Sequence, residues 1–151
     1  MADTVTLSWG KPTIQVKSLD DDTATYTAFA TPVEDSTQLN PTEGDKLEAK
    51  IEGGDYEAVK YKKTTYQLEF QIRQVPERTD PITDTDGVVS GEFAIQVIPE
   101  ETDGLGITIE RASCHVTTSY TAADGIIKTY YFDALVPSSG NATVQFETIS
   151  A

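Results

Sequence analysis

The chain has 151 residues with 11 Lys and Arg against 25 Asp and Glu, a net charge of −14. That length suits one domain with a sizeable core, and the acidity excludes ordinary nucleic-acid binding, which needs a basic face to displace counterions. A single cysteine, Cys114, excludes an intrachain disulfide, and no run approaches the ~20 apolar residues of a membrane span.

The opening Met1-Ala2-Asp3-Thr4 has neither a basic nor an apolar run, so no secretory signal is expected. From there the dominant period is two. Strands are expected at Thr4–Trp9, Thr13–Leu19 and Thr23–Phe29, rich in the Thr, Val, Ile and aromatic residues that suit a pleated surface. Gly10-Lys11-Pro12 and Asp20-Asp21-Asp22 separate them as turns. Residues 31–44 hold Pro32 and Pro41, break the alternation, and leave room for one short helix near Glu34–Leu39.

In 45–52, Leu47, Ala49 and Ile51 alternate with Lys46, Glu48, Lys50 and Glu52. Glu52-Gly53-Gly54-Asp55 then supplies two glycines, which accept the positive φ of a tight turn, so it reads as a hairpin tip. The returning strand starts near Tyr56 and is expected to continue to Gln74. Within it Tyr66, Leu68, Phe70 and Ile72 alternate with Gln67, Glu69, Gln71 and Arg73. Such a strand is long for a compact domain, so the hairpin is expected to project. The pleat gives this hairpin two faces. A core face takes Leu47, Ala49, Ile51, Tyr66, Leu68, Phe70 and Ile72. The opposite face takes Lys46, Glu48, Lys50, Glu52, Gln67, Glu69, Gln71 and Arg73, and is mixed in sign.

Residues 77–103 hold eight acids against one base, Arg78, which is half of the net charge. Overlapping them, Pro76–Gly87 is a polar loop of a length that is usually functional or disordered. Its Thr79–Gly87 part is expected to be solvated and mobile in the free subunit. Strands follow at Val88–Ile98, Ile107–Thr118, Ile126–Val136 and Ala142–Ile149, with turns at Asp124-Gly125 and Pro137-Ser138-Ser139-Gly140. Ile126–Val136 is apolar on both faces, which calls for a central position in the sheet or for a second subunit over one face. The whole chain, 1–151, reads as one all-β domain. It is sandwich- or barrel-like, with a long hairpin and at most one or two short helices.

No pattern supplies catalytic chemistry. His115, the only histidine, neighbours Cys114 on one strand, so the two side chains diverge to opposite faces. Asp80, Asp84, Asp86 and Gly87 lack the ligand spacing of a calcium loop, and Asp20-Asp21-Asp22 reads as a turn. Glu48 with Glu52, or Glu57 with Glu69, would need a pocket that raises one pKa before acting as a glycosidase pair, and nothing specifies one. Nucleophile-elbow, phosphate-loop, zinc-helix and dinucleotide fingerprints are missing. No enzyme activity, cofactor or metal is expected.

The stretch from Thr37-Gln38-Leu39-Asn40-Pro41 through the Thr42-Glu43-Gly44 turn to the Glu52-Gly53-Gly54 tip resembles the corresponding part of bacteriophage tail tube (major tail) proteins. Lys60-Tyr61-Lys62-Lys63-Thr64-Thr65-Tyr66-Gln67-Leu68-Glu69-Phe70 is similar to that family's returning arm. The resemblance implies a subunit made in the bacterial cytoplasm and built into the virion tail. It implies hexameric rings that stack into a hollow tube, with a tape-measure protein inside and DNA passing without specific binding. On that reading the mixed-sign face of the hairpin is a lumen or inter-subunit face, and Thr79, Asp80, Asp84 and Asp86 form a ring-stacking loop. The generic features, many strands and an acidic surface, also fit an immunoglobulin-like binding or adhesion module that lacks the Cys…Trp…Cys pattern.

Overall fold

Alternating residues make strands here because their apolar halves share one interior. The computed structural model describes residues 5–101 and 103–149, and every regular element among them is a strand. In chain order these are β1 (Thr13–Ser18), β2 (Thr27–Ala28), β3 (Gln38–Thr42), β4 (Lys46–Lys50) and β5 (Tyr56–Tyr61). They are followed by β6 (Thr65–Arg73), β7 (Val88–Ile98), β8 (Gly106–Thr121), β9 (Gly125–Ala134) and β10 (Gln145–Glu147). Pairing is antiparallel throughout. The main sheet runs β2-β1-β7-β8-β9-β6-β3, with β10 beside the start of β8, and β4 and β5 pair with each other.

The main sheet rolls up. The Phe29 N–H donates to the Ile14 carbonyl and the Val33 N–H to the Gln71 carbonyl, both at 2.8 Å, so the 29–33 segment joins the β1 edge to the β6 edge. The result is an all-β, barrel-like fold. Leu68, Phe70 and Ile72 of β6, Ile95 of β7, Ile109 of β8, and Tyr130 and Phe132 of β9 are wholly buried inside it. Phe70 lies at its centre, with ring centroids 5.0 Å from Phe29, 5.4 Å from Tyr130 and 5.8 Å from Phe132. Such pairs add roughly 0.5–1.5 kcal/mol each beyond the area they bury. The expectation of two dry faces in 126–136 is met only in part: β9 lies between β8 and β6 and buries Ile127, Tyr130 and Phe132, while Ile126 and Val136 are exposed.

The long hairpin is continuous. Pairs run in one register from Gln38↔Glu69 through Thr42↔Thr65 to Lys46↔Tyr61 and Ala49↔Ala58. Between the two paired stretches the Lys62 N–H still donates to the Asp45 carbonyl. Gly44 sits at this junction, where a Cβ would lie 2.3 Å from the Lys62 carbonyl oxygen, so only glycine fits. At the tip Gly53 and Gly54 have φ of 95° and 91°, with open space around both, so the turn requires them for backbone conformation alone.

Several expectations are corrected. The strand from Tyr56 to Gln74 is interrupted at 62–64. Leu47, Ala49 and Ile51 share the pleat face of the core residues but lie beyond the barrel, exposed, because nothing packs against them there. No helix forms near Glu34–Leu39. A turn at Val33–Ser36 leads directly into β3, whose Pro41 is tolerated because β3 is an edge strand. Thr23–Phe29 and Ala142–Ile149 shorten to β2 and β10. Of the strand expected at Thr4–Trp9, Thr4 lies outside the described residues, and Val5–Trp9 has no strand partner among them.

Replacing Phe70 with Ala should lower unfolding stability by about 3–5 kcal/mol, read by urea denaturation. Replacing Gly53 and Gly54 with Val forces β-branched residues toward a left-handed backbone. The amide resonances of Tyr56–Tyr61 should then collapse toward random-coil positions while those of β6–β9 stay in place.

Candidate functional site

Three features of the surface can do something: the arm formed by β4 and β5, the 76–87 loop, and a cleft at one end of the barrel. On the arm every residue of both strands is exposed, including Leu47, Tyr56, Val59 and Tyr61, as is Ile51 just after β4. An isolated two-stranded ribbon is marginal in water, and here it is held by local pairs. Lys46 donates to the Tyr56 hydroxyl at 3.2 Å, and that hydroxyl faces Glu48 at 3.3 Å. Lys46 and Lys50 flank Glu48 at 3.1 and 3.7 Å and both lie over the Tyr56 ring. The Tyr56 hydroxyl first, then Glu48, hold the Lys46 ammonium above the usual lysine pKa. Tyr56 was not singled out from sequence. A bulge between Ala49 and Lys50 brings it onto the lysine face, and alternation counted from Tyr66 cannot foresee a bulge.

Residues 45–63 carry five acids and five bases, so the arm is neutral and the net charge of −14 belongs to the rest of the chain.

The eight residues of the expected polar face are not one cluster. Lys46, Glu48 and Lys50 lie on the arm, while Glu52 is in the tip turn. Gln67, Glu69, Gln71 and Arg73 lie on the outside of the barrel, on β6. There Glu69 accepts from Gln38 and from Asn40 (2.6 Å), Gln67 donates to Asp133 (3.0 Å), and the Arg73 guanidinium reaches the Asp124 carbonyl (3.3 Å). His115 stacks on Tyr131 with centroids 4.7 Å apart and lies 3.8 Å from Asp133. This outer face is thus a polar lattice closed on itself, with Glu69 already satisfied.

The acidic loop is also engaged. Thr79 and Asp86 are exposed, but Ile82 enters the core, and Asp80 and Asp84 turn inward. Asp80 accepts from Gln74 (2.8 Å) and from the Tyr130 hydroxyl (2.9 Å). Asp84 accepts from Lys128 and from the Gly87 N–H, both at 2.9 Å. The expected solvated loop is therefore a plug over one end of the barrel. Asp86 and Gly87 form its last turn, between mutual Thr85–Val88 backbone bonds, both with positive φ. An Asp-Gly pair ahead of an apolar run signals such a turn, whereas nothing local pointed to Lys128 or Tyr130.

Burial and the Asp80 carboxylate push the Tyr130 phenol far above its ordinary pKa. Cys114 faces inward, and burial, then Asp84 and Asp133, push its thiol up to about 12. A thiol so held stays protonated at neutral pH and is no nucleophile. Among the described residues no group of His, Cys, Asp and Glu is arranged to hold a metal ion.

At the opposite end lies a cleft of about 780 Å³. Pro12, Pro32, Val33, Leu39, Val97, Leu105 and Phe146 make it mainly apolar, with Lys11, Glu34 and Asp35 along its lining. It can take an apolar segment.

No protein-family model matches the chain, and a search of curated proteins returned no match.

The plug makes stability depend on acid. Lys128 first, then the Gly87 N–H, hold the Asp84 carboxyl below the ordinary value of 3.8. Its contribution is therefore present above that value and is lost as the pH falls through the lowered folded pKa. Asp84→Asn should lower the urea midpoint at pH 7 and flatten its decline in acid. Part of that decline should remain, because Arg111 holds Glu92 low in the same way.

Proposed function

We propose that this chain is a structural subunit of a phage tail tube, closing into rings that stack into a conduit for DNA. One observation carries the reading: a neutral hairpin arm, exposed on both faces, projects from a strongly acidic barrel. A body bearing the whole charge of −14 repels its own copies. The arm can approach another copy without that penalty. It also brings exposed apolar side chains that gain by being covered.

The ring itself, hexameric by family resemblance, is a head-to-tail arrangement that closes. Closure would pair sheet edges that are otherwise open to aggregation. An acidic body suits a channel through which phosphates slide without sticking. A tape-measure protein would occupy the lumen before DNA does, in the virion tail of a phage assembled in bacterial cytoplasm. The lysine face of the arm serves in this reading as an inter-subunit face: Glu48 keeps Lys46 and Lys50 paired, and a neighbour meets a neutral surface.

The apolar cleft favours a second reading, a binding or adhesion module. A single rolled sheet differs from the two facing sheets of an immunoglobulin domain, so that reading rests on the cleft alone.

Concentrated protein viewed by negative-stain electron microscopy should show rings or tubes. Glu48→Lys, which leaves Lys46 and Lys50 without their anion, should abolish them while circular dichroism stays unchanged. A monomer that persists at high concentration and takes an apolar ligand in the cleft would support the binding module instead.

A further inference from the structure

Val5-Thr6-Leu7-Ser8-Trp9 has the alternation of a strand, yet in the structure it is exposed, bends at Ser8 and has no strand partner among the described residues. Val5 is 74%, Leu7 48% and Trp9 66% exposed. A strand-forming segment with one apolar side and no sheet to join is a donor in search of an edge.

One edge answers it. β7 ends opposite His115, and the last bond on that side of β8 is from the Val116 N–H to the Gly87 carbonyl. Peptide groups alternate sides along a strand, so Thr118 and Tyr120 turn theirs the same way. No backbone partner meets them among the described residues. Natural edges are guarded by charge, proline or shortness. β4 and β5 carry charges, β3 carries Pro41, and β2 and β10 are short. Thr117-Thr118-Ser119-Tyr120-Thr121 has none of these guards. Beside it Tyr120 and Ile126, paired across β8 and β9, are 71% and 46% exposed and offer apolar neighbours.

The donor cannot reach this edge in its own molecule. Ser8 is tethered to the Leu105 carbonyl, next to the start of β8 at Gly106. Thr117 lies about 35 Å further along that strand at roughly 3.3 Å per residue. Val5 to Ser8 spans only about 10 Å. Donor and acceptor sit at opposite ends of the barrel. Neither segment carries a charge, so their contact sets no like charges against each other in a chain of net charge −14.

We infer that Val5–Trp9 of one copy adds as a strand to the open β8 edge, Thr117–Thr121, of a second copy. The contact is head-to-tail, and because donor and acceptor sit at opposite ends of the barrel it sets copies end to end. It rests on the reading that the chain self-assembles, and it names the surfaces that do so end to end.

Trp9 is the only tryptophan among seven tyrosines, so fluorescence excited at the red edge, where tyrosine does not absorb, reports on this segment alone. Raising the concentration of the full chain until light scattering shows assembly should shift Trp9 emission to shorter wavelength. Thr118→Pro removes an outward N–H of the acceptor without touching the ladder to β9, and should abolish the shift. Leu7→Lys, on the donor, should do the same, and it decides the matter if circular dichroism finds Thr118→Pro misfolded. Assembly with Trp9 emission unchanged overturns this inference and leaves self-assembly standing. So does a shift that survives in Leu7→Lys, or in a folded Thr118→Pro. A wild-type chain that never assembles overturns both.

Discussion

The pleat assigns every side chain of a strand to one of two faces, and here a single hairpin must serve both a barrel and an arm. Its register does not change between them: Gln38↔Glu69 at the root and Ala49↔Ala58 near the tip belong to one series. The face that buries Leu68 and Phe70 inside the barrel is therefore the face that carries Leu47 into solvent. Gly44 lets the arms approach where the barrel ends. The same thing happens at the other end, where β8 outruns β7 and exposes Tyr120 on the face that buries Cys114 and Val116. Strands longer than the core they enclose leave apolar side chains uncovered at both ends of the molecule.

Much of this was legible in the sequence, for reasons that can be named. Alternation in Tyr66–Ile72 predicts the inward face of β6, and the adjacent glycines predict the tip, because both signals are local. Val88–Ile98 has the expected bounds as β7. Alternation says which residues share a face but not what lies against it, so Leu47, Ala49 and Ile51 read as core. Asp80 and Asp84 read as solvated because their partners, Tyr130 and Lys128, are distant in sequence and adjacent only across the fold. Val5–Trp9 has strand composition without a strand, since propensity cannot create an edge to pair with.

Charge gives these uncovered surfaces their meaning. The barrel holds all of the net charge and the arm holds none. The acids that look most like a disordered loop are partly spent inside, where Asp80 and Asp84 fix the plug. What remains outside keeps copies apart except where neutral segments meet. Solubility of the single subunit and directed contact between subunits then follow from one distribution of charge.

Amide hydrogen exchange, compared between dilute and concentrated protein, tests this account most directly. New protection at high concentration should be confined to the ends, in Val5–Trp9, Lys46–Tyr61 and Thr117–Thr121, while the buried strands of the barrel exchange as before. Protection that does not change with concentration, or that rises across the outer barrel face around Gln67, Glu69 and Tyr131 and not at the ends, would contradict it.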